Sequence, residues 1–113
     1  MIDDVVFNTC IKLRCYPSPL NYTGFPKSVT TSVNNVAVHG IPDKRELIDG
    51  DIITIDVTVF HDGYHGDTAA TFPVGKVDAD ALRLIETSKM CLNVKNKETK
   101  FALFILNLFS ILS

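Results

Sequence analysis

Hydrophobic and polar residues alternate most regularly between residues 51 and 72, where the sequence reads DIITIDVTVFHDGYHGDTAATF. β-Branched residues are frequent in its first half, and alternation over this length is typical of a β-strand. The apolar positions of that strand share one face: Ile53, Ile55, Val57 and Val59. Asp62 and Gly63 follow, a pair that favours a type I′ turn because both central residues of that turn need positive φ. The pattern therefore predicts a β-hairpin with Asp62-Gly63 at its tip.

A two-residue turn fixes which residues face each other across this hairpin. Thr58 then lies opposite Asp67, and Asp56 lies opposite Ala69. Asp56 and Asp67 consequently share one face of the sheet, one diagonal step apart, at roughly 7–8 Å between Cα atoms. A three-residue turn would place the two carboxylates on opposite faces, because side chains alternate along a strand. The turn type therefore decides whether these acids are neighbours.

Two neighbouring carboxylates repel each other and resist removal from water. Either one of them is protonated, or a cation lies between them. A divalent metal ion shared by Asp56 and Asp67 is one interpretation. The other is that Asp56 faces solvent on a half-exposed antiparallel sheet. An inward Asp is unusual in a strand otherwise built from Ile, Val and Thr.

Helical spacing of apolar residues predicts two helices. The first begins at Ile2 and ends near Cys15, with Val5, Val6 and Leu13 on its apolar face. The second is capped by Asp78 or Asp80 and covers one side of the sheet. Its predicted apolar face consists of Ala81, Leu84, Ile85, Ser88, Cys91 and Leu92.

The connection between residues 16 and 27 contains three prolines and is predicted to be irregular. It carries Tyr16, Tyr22 and Phe25, which either form a preformed apolar pocket or cap the core. Residues 28–38 are again rich in β-branched positions, with a turn, bulge or strand break at Asn34-Asn35. His39 follows at the predicted strand end, where it either points into a cleft or is a hydrogen-bonded structural residue.

Two further histidines flank the hairpin tip. His65 lies on the same strand face as Asp67, so that a ligand role is geometrically allowed, but a rim position near the turn is the preferred interpretation. His61 is predicted to be solvated.

Composition narrows the class of protein. The 113 residues suffice for one small domain. A net charge of −2 and a pI near 5.8 argue against a nucleic-acid-binding surface. Three cysteines without ligand spacing indicate buried free thiols in a reducing compartment rather than a disulfide: Cys10, Cys15 and Cys91. No signal or transit peptide is visible at the N-terminus.

The character of the chain changes at Asn93. A short charged spacer is followed by FALFILNLFSILS, thirteen almost continuously apolar residues interrupted by Asn107. A membrane span needs about 20 apolar residues, so this stretch is too short. The sequence therefore predicts a domain over residues 1–92 and an apolar tail over residues 93–113 that lies outside its pattern.

Three blocks of sequence carry a family resemblance: YPSPLNYTGFPKSVTTSVNN, VHGIPD and DGDIITIDVTVFHDGYHGDT. Together, over about residues 16–92, they resemble type I methionine aminopeptidases of the pita-bread metallopeptidase family, with the organellar forms looking nearest. The fold implied is α+β, a partial pita-bread fold whose antiparallel sheet has a central hairpin covered by helices.

The resemblance also implies a function. Such enzymes remove the initiator methionine from nascent polypeptides when the second residue is small, by hydrolysis assisted by two divalent metal ions (Mn, Co, Fe(II) or Zn). Asp56 matches a bidentate metal ligand, and Asp67 matches the carboxylate that bridges both metals. His39 matches the histidine that contacts the substrate near the scissile amide, and Tyr22 and Phe25 match aromatic positions of the methionine pocket. The implied partners are N-terminal peptides of nascent proteins, with neither nucleic acid nor membrane, in the mitochondrion or cytoplasm.

The sequence departs from the family after Leu92. The family has two pseudo-symmetric halves, and the second supplies a histidine and two glutamates for which no matching motif follows here. A truncated fragment with little activity of its own is therefore expected; the alternatives are a non-catalytic binding module and an inactive truncated product. Thr30 stands where many relatives have Cys, which is expected to alter pocket fit, and the change at Val38 is expected to be tolerated.

Overall fold

The computed structural model describes residues 2–96, which divide into two compact units on either side of the Val77–Asp78 bond. The first unit contains one helix and four strands, and the second contains one helix. In chain order these are α1 (Ile2–Lys12), β1 (Tyr16–Pro17), a 3₁₀ turn (Tyr22–Gly24), β2 (Thr30–Val33), β3 (Ile52–His61), β4 (Tyr64–Pro73) and α2 (Ala79–Asn96).

Strand β3 is the centre of a four-stranded antiparallel sheet. Strand β4 pairs with it over its whole length, from Ile52 opposite Pro73 to His61 opposite Tyr64. The other edge of β3 carries two shorter strands, β2 at residues 53–56 and β1 at residues 59–60. The predicted antiparallel sheet with a central hairpin is thus confirmed.

The hairpin tip has the predicted geometry. Asp62 and Gly63 have φ values of 48° and 89°, as a type I′ turn requires. Thr58 lies opposite Asp67, and Asp56 lies opposite Ala69. Asp56 and Asp67 therefore share a face of the sheet, as the sequence pattern predicts.

The core of the first unit lies against the apolar face of β3. Ile53 and Val57 are buried there, together with Val29 and two residues of α1, Val6 and Cys10. Burial of each such aliphatic side chain stabilises the fold by about 1.5–3 kcal/mol relative to exposure. This packing leaves the opposite, polar face of β3 available for a site.

Helix α1 ends earlier than its apolar spacing predicts. It stops at Lys12, Arg14 takes a left-handed φ of 57°, and the Cys15 amide donates to the Cys10 carbonyl at 2.9 Å. This is the usual closure of a helix by a left-handed residue. Val5 and Leu13, both predicted on the buried face, are instead exposed.

Of the alternatives predicted at Asn34-Asn35 the structure has the turn, with Asn34 at φ 51°, so β2 ends at Val33 and Val36 and Val38 are exposed. His39 therefore does not end a strand. The chain returns beside β2 at Gly40, whose amide donates to Ser32 Oγ at 3.2 Å and whose carbonyl accepts from the Thr31 amide at 2.9 Å. A Cβ at Gly40 would collide with the Thr31 carbonyl, so only glycine allows this approach.

A buried carboxylate closes the base of the hairpin. Asp51 is 3% exposed and accepts hydrogen bonds from both terminal nitrogens of Arg45, at 2.7 and 3.0 Å. Asn34 Nδ2 and the Ile48 amide donate to it as well, at 2.8 and 3.0 Å. These donors, with Arg45 hydrogen bonding foremost, hold the pKa of Asp51 well below its usual range. The cluster fixes residues 43–50 to the start of β3.

The second unit is helix α2. Asp78 caps it, with its Oδ1 accepting from the Ala81 amide at 2.7 Å, which settles the choice between Asp78 and Asp80. Of the predicted apolar face, Ile85 is buried, whereas Leu84, Cys91 and Leu92 are exposed.

The three cysteines are free thiols, as expected, but burial holds only for Cys10 and Cys15. Burial raises the pKa of both of these thiols. Within residues 2–96 no helix is long and apolar enough to span a bilayer. The predicted apolar tail falls largely outside the described residues, so the boundary between residues 92 and 93 stays a prediction.

Candidate active site

An open cleft of about 440 Å³ lies on the polar face of the sheet. It runs along β3 between the connection that follows β1 and the segment that follows β2. All five residues singled out from the sequence line it: Tyr22, Phe25, His39, Asp56 and Asp67. A volume of this size is typical of a small-molecule or peptide-end site.

The two carboxylates form the floor of the cleft. Asp56 is half-buried in β3 and Asp67 is exposed in β4, where Thr58 Oγ1 donates to Asp67 Oδ1 at 2.8 Å. Burial raises the pKa of Asp56 to about 6, assisted by the charge of Asp67 and by hydrogen bonding between the two acids, while His39 opposes the rise. At neutral pH Asp56 is therefore ionised beside Asp67, against a repulsion that a cation would relieve.

His39 lies on the β2 side of the cleft. Its backbone takes a left-handed φ of 57°, a conformation that costs a non-glycine residue roughly 1 kcal/mol or more. The close approach of Gly40 to β2 holds it there. Its side chain is exposed and close enough to Asp56 to influence that carboxylate electrostatically. It is therefore presented to the cleft rather than used inside the core.

The aromatic residues of the connection face the cleft too. Tyr22 is 72% exposed and Phe25 is half-buried, which favours the pocket interpretation over a cap on the core. The turn that carries them is closed by two backbone hydrogen bonds, from the Asn21 amide to the Phe25 carbonyl and from the Phe25 amide to the Tyr22 carbonyl, each at 2.9 Å.

Helix α1 anchors the end of that connection. Asp3 accepts from the Ser28 amide at 2.7 Å and from Lys27 Nζ at 3.1 Å. Thr30, two residues after Ser28, lies in β2 opposite Asp56 of β3. Its side chain is buried and lines the cleft. Thr30 was noted from the sequence as a pocket residue, but Asp3 was not, because no local pattern links the first helical turn to residue 28.

The other two histidines differ from each other. His65 lies on the cleft rim, as preferred from the sequence, with Nδ1 at 2.9 Å from Ser18 Oγ. His61 is not simply solvated: its Nδ1 lies 3.3 Å from the Arg14 carbonyl, and its Nε2 lies 3.3 Å from Asp62. The predicted register places Thr58 opposite Asp67, and the structure confirms it, but the hydrogen bond between the two side chains was not anticipated. Ser18 was missed, because nothing local indicates it.

The carboxylate pair suits part of a site for a hard divalent cation. Carboxylate oxygens are the ligands that such ions prefer, and about six oxygens are needed. Across residues 2–96, no group of three or more His, Cys, Asp or Glu side chains could hold a metal ion. Asp56 and Asp67 could therefore supply only some of the ligands of such an ion, and the remainder would come from water or from groups beyond those residues.

Comparison with known proteins gives a consistent result. The sequence profile of metallopeptidase family M24 matches residues 4–98. Human mitochondrial methionine aminopeptidase 1D is 60% identical over 90 residues, which are 80% of this chain and 27% of that protein. The chain thus spans about a quarter of the length of such curated relatives.

Two solved structures extend the likeness to the fold. The methionine aminopeptidase from Rickettsia prowazekii superposes with a TM-score of 0.73 at 48% identity, covering 74% of this chain and 34% of that one. The methionine aminopeptidase from Thermotoga maritima gives a TM-score of 0.81 at 32% identity, with 88% and 40% covered. Both neighbours have the pita-bread fold, so the predicted partial pita-bread architecture is confirmed.

Proposed function

The chain belongs to metallopeptidase family M24, and from that premise we propose that it forms part of the active site of a methionine aminopeptidase. Family membership implies divalent metal ions. The proposal rests above all on one observation: Asp56 and Asp67 lie side by side in a cleft that also contains His39 and two aromatic side chains. The reaction proposed is hydrolysis of the bond after an N-terminal methionine.

Asp56 and Asp67 are the residues of this chain that would hold the two divalent ions, drawn from Mn, Co, Fe(II) and Zn. When bound, such ions polarise the peptide carbonyl and lower the pKa of a water molecule. The carboxylates hold the cations, and their repulsion is relieved by doing so. Thr58 orients Asp67 by donating to one of its oxygens.

Substrate binding is assigned to the walls of the cleft. His39 is positioned beside Asp56, where an imidazole can hydrogen-bond the amide of the scissile bond. Tyr22, Phe25 and Thr30 surround the space proposed for the methionine side chain. Thioether sulfur packs favourably against aromatic rings, so two aromatic residues on a proline-stiffened connection suit this side chain.

The proposed substrates are N-terminal peptides of nascent proteins, and the proposed compartment is the mitochondrion. The proposed mitochondrial compartment is supported by the human relative, whose name includes the word mitochondrial.

A segment exchange tests the function. Residues 4–92 of this chain replace the aligned segment of human methionine aminopeptidase 1D, and release of methionine from a Met-Ala-Ser peptide is measured with Mn²⁺ or Co²⁺. We expect the exchanged enzyme to be active, and Asp56→Asn or Asp67→Asn to abolish turnover. Asp62→Asn is the matched control, since it changes a carboxylate of the same hairpin outside the cleft. Equal turnover in all variants would contradict the proposal.

The same material separates catalysis from simple binding. A non-catalytic module would give an exchanged protein that binds methionine peptides without cleaving them. The 113-residue chain by itself is expected to bind Mn²⁺ weakly and to show little turnover, because two carboxylates provide few of the oxygens that such ions need. Clear turnover by this chain would overturn that expectation.

A further inference from the structure

His65 makes a hydrogen bond that crosses the central strand. It lies in β4, opposite Phe60, on the edge of β3 shared with Asp67. Ser18 lies on the other edge of β3, where its amide donates to the Thr58 carbonyl at 2.9 Å. The side chains of His65 and Ser18 nevertheless meet at 2.9 Å. The contact therefore ties two strands together across the face that forms the cleft floor.

The contact joins the two halves of the proposed site. Ser18 begins the connection that carries Tyr22 and Phe25, and His65 lies two residues before Asp67. The other end of that connection is fixed independently, through Asp3. Its first residues are held to β3 by the Ser18 amide and to β1 by the Tyr16 hydroxyl, which donates to the Leu20 carbonyl at 2.8 Å. The His65 contact adds a side-chain hydrogen bond to β4, the strand that carries Asp67. The spacing between the aromatic wall and that carboxylate therefore depends in part on this side-chain pair.

The ring of His65 is itself well oriented. It packs against Phe60 with centroids 5.0 Å apart and planes tilted by 49°. Aromatic pairs of this kind contribute to stability beyond their buried area and restrict rotation of the ring. The Phe60 ring on one side and the Ser18 hydroxyl at Nδ1 together restrict the orientation of the His65 imidazole, although the residue is exposed.

We propose that His65 is a positioning residue of the proposed methionine aminopeptidase site, which through Ser18 sets the distance between the aromatic methionine pocket and the strand that carries Asp67. This inference rests on the proposed function. It assigns no contact between His65 and the substrate. The alternative, that His65 touches substrate through Nε2, makes different predictions for the same variants.

Four substitutions separate these roles in the 113-residue chain. Ser18→Ala removes the hydroxyl partner. His65→Phe keeps a ring against Phe60 but removes both nitrogens. His65→Asn places a polar atom where Nδ1 was and nothing where Nε2 was. Ser88→Ala is the matched control, a hydroxyl deletion at an exposed position of α2.

The first readout is amide hydrogen exchange by NMR, which needs no catalysis. The amides of Asn21 and Phe25 report the turn that carries the aromatic residues. In Ser18→Ala and in His65→Phe we expect both amides to exchange roughly three- to tenfold faster, the effect of losing one hydrogen bond. In the double variant Ser18→Ala/His65→Phe these amides should exchange no faster than in either single variant, because both substitutions remove the same interaction. His65→Asn should stay close to wild type, and Ser88→Ala should not change these amides.

The second readout is affinity for L-methioninamide in the presence of Mg²⁺, followed by chemical shifts of Tyr22 and Phe25, with L-alaninamide as the comparison ligand. We expect Ser18→Ala and His65→Phe to weaken L-methioninamide by a similar roughly three- to tenfold factor, with rescue in His65→Asn. If His65→Asn loses as much as His65→Phe while Ser18→Ala is harmless, His65 contacts the ligand directly and the positioning role is overturned. Unchanged exchange in Ser18→Ala also overturns it. If wild type binds L-methioninamide no better than L-alaninamide, the proposed function fails instead, while the exchange rates still decide the linkage.

Discussion

Two carboxylates near the same strand, Asp51 and Asp56, have opposite surroundings. Asp51 precedes β3 and is nearly inaccessible, yet the fold surrounds it with a guanidinium, an amide side chain and a backbone N–H. Asp56 lies within β3, is only half-buried, and faces another acid, Asp67. The pKa of the first is held far below its usual range, and that of the second is raised to about 6.

The difference lies in where the counter-charge comes from. At Asp51 the chain supplies it, through Arg45, so the carboxylate is part of the framework. At Asp56 the charge that shifts the pKa most is that of another acid, Asp67, and His39 opposes it more weakly. A carboxylate pair of this kind suits a partner from solution, and a divalent cation satisfies both acids at once. Burial of an acid therefore does not identify a functional site; the missing counter-charge does.

The largest expected effect is on cation binding. Asp56→Asn or Asp67→Asn should weaken Mn²⁺ binding to the 113-residue chain by more than roughly 100-fold, since loss of an outer partner of a metal ligand already costs about 10- to 100-fold. Asp43→Asn, an exposed acid outside the cleft, should leave binding unchanged. Electron paramagnetic resonance of free Mn²⁺ measures the difference. If Asp43→Asn weakened Mn²⁺ binding as much as Asp56→Asn does, the carboxylates of the cleft would bind the cation no better than an exposed acid elsewhere.

The next effect is on stability, and it should fall on the other carboxylate. Asp51→Ala leaves Arg45, Asn34 and the Ile48 amide without their common acceptor, so we expect Tm to fall by on the order of 10 °C. Asp56→Ala in metal-free protein should not lower Tm, because it removes a repulsion. Thermal unfolding followed by circular dichroism compares the two. A similar Tm loss in both variants would show that Asp56 also serves as framework.

How much of this was predictable depends on how local the cause is. The hairpin, its register and the shared face of Asp56 and Asp67 follow from the two residues at the tip, which determine the turn. The hydrogen-bond partners of Asp51 lie 3 to 17 residues away, and no spacing rule predicts that they converge. Ser18 and His65 are 47 residues apart in the sequence, and no sequence pattern predicts their contact either.

The errors had physical causes of the same kind. The expected turn at Asn34-Asn35 is present, but it ends β2 at Val33 rather than interrupting a strand that continues to His39, so Val36 and Val38 are exposed. Helical spacing in α1 continues to Leu13, but the closure at Arg14 ends the helix at Lys12. In both cases one residue with positive φ overrides the propensity of its neighbours.

The third prediction concerns pH in protein freed of metal by a chelator. The pKa of Asp56 is about 6 in the folded chain against an ordinary value of 3.8, so between these pH values the folded state holds more protons than the unfolded state. Stability should therefore fall as pH rises from about 4 to about 6 and level off above. Asp51 has the opposite sign: its pKa is lowered, so its contribution is complete above pH 3.8 and is lost only in stronger acid.

Urea unfolding across this pH range, in wild type and Asp56→Asn, checks the third prediction. The variant cannot ionise at position 56, so its stability should be nearly flat between pH 4 and 6 where that of wild type declines. Parallel curves would mean that another group is responsible for the decline.

The smallest effect belongs to a third kind of carboxylate. Asp78 is exposed, and its partner is a backbone amide, that of Ala81 at 2.7 Å, at the first turn of α2. Water can replace much of that bond, so Asp78→Ala should cost about 1 kcal/mol of helix stability, and Asp78→Asn or Asp78→Ser, which also cap, should cost less. Amide exchange at residues 81–85 measures it, with Asp80→Ala as the control because Asp78 is the capping residue. If Asp78→Ala destabilised the protein as much as Asp51→Ala does, exposure to solvent would not weaken the contribution of a carboxylate. The contrast drawn between Asp51, Asp56 and Asp78 would then no longer hold.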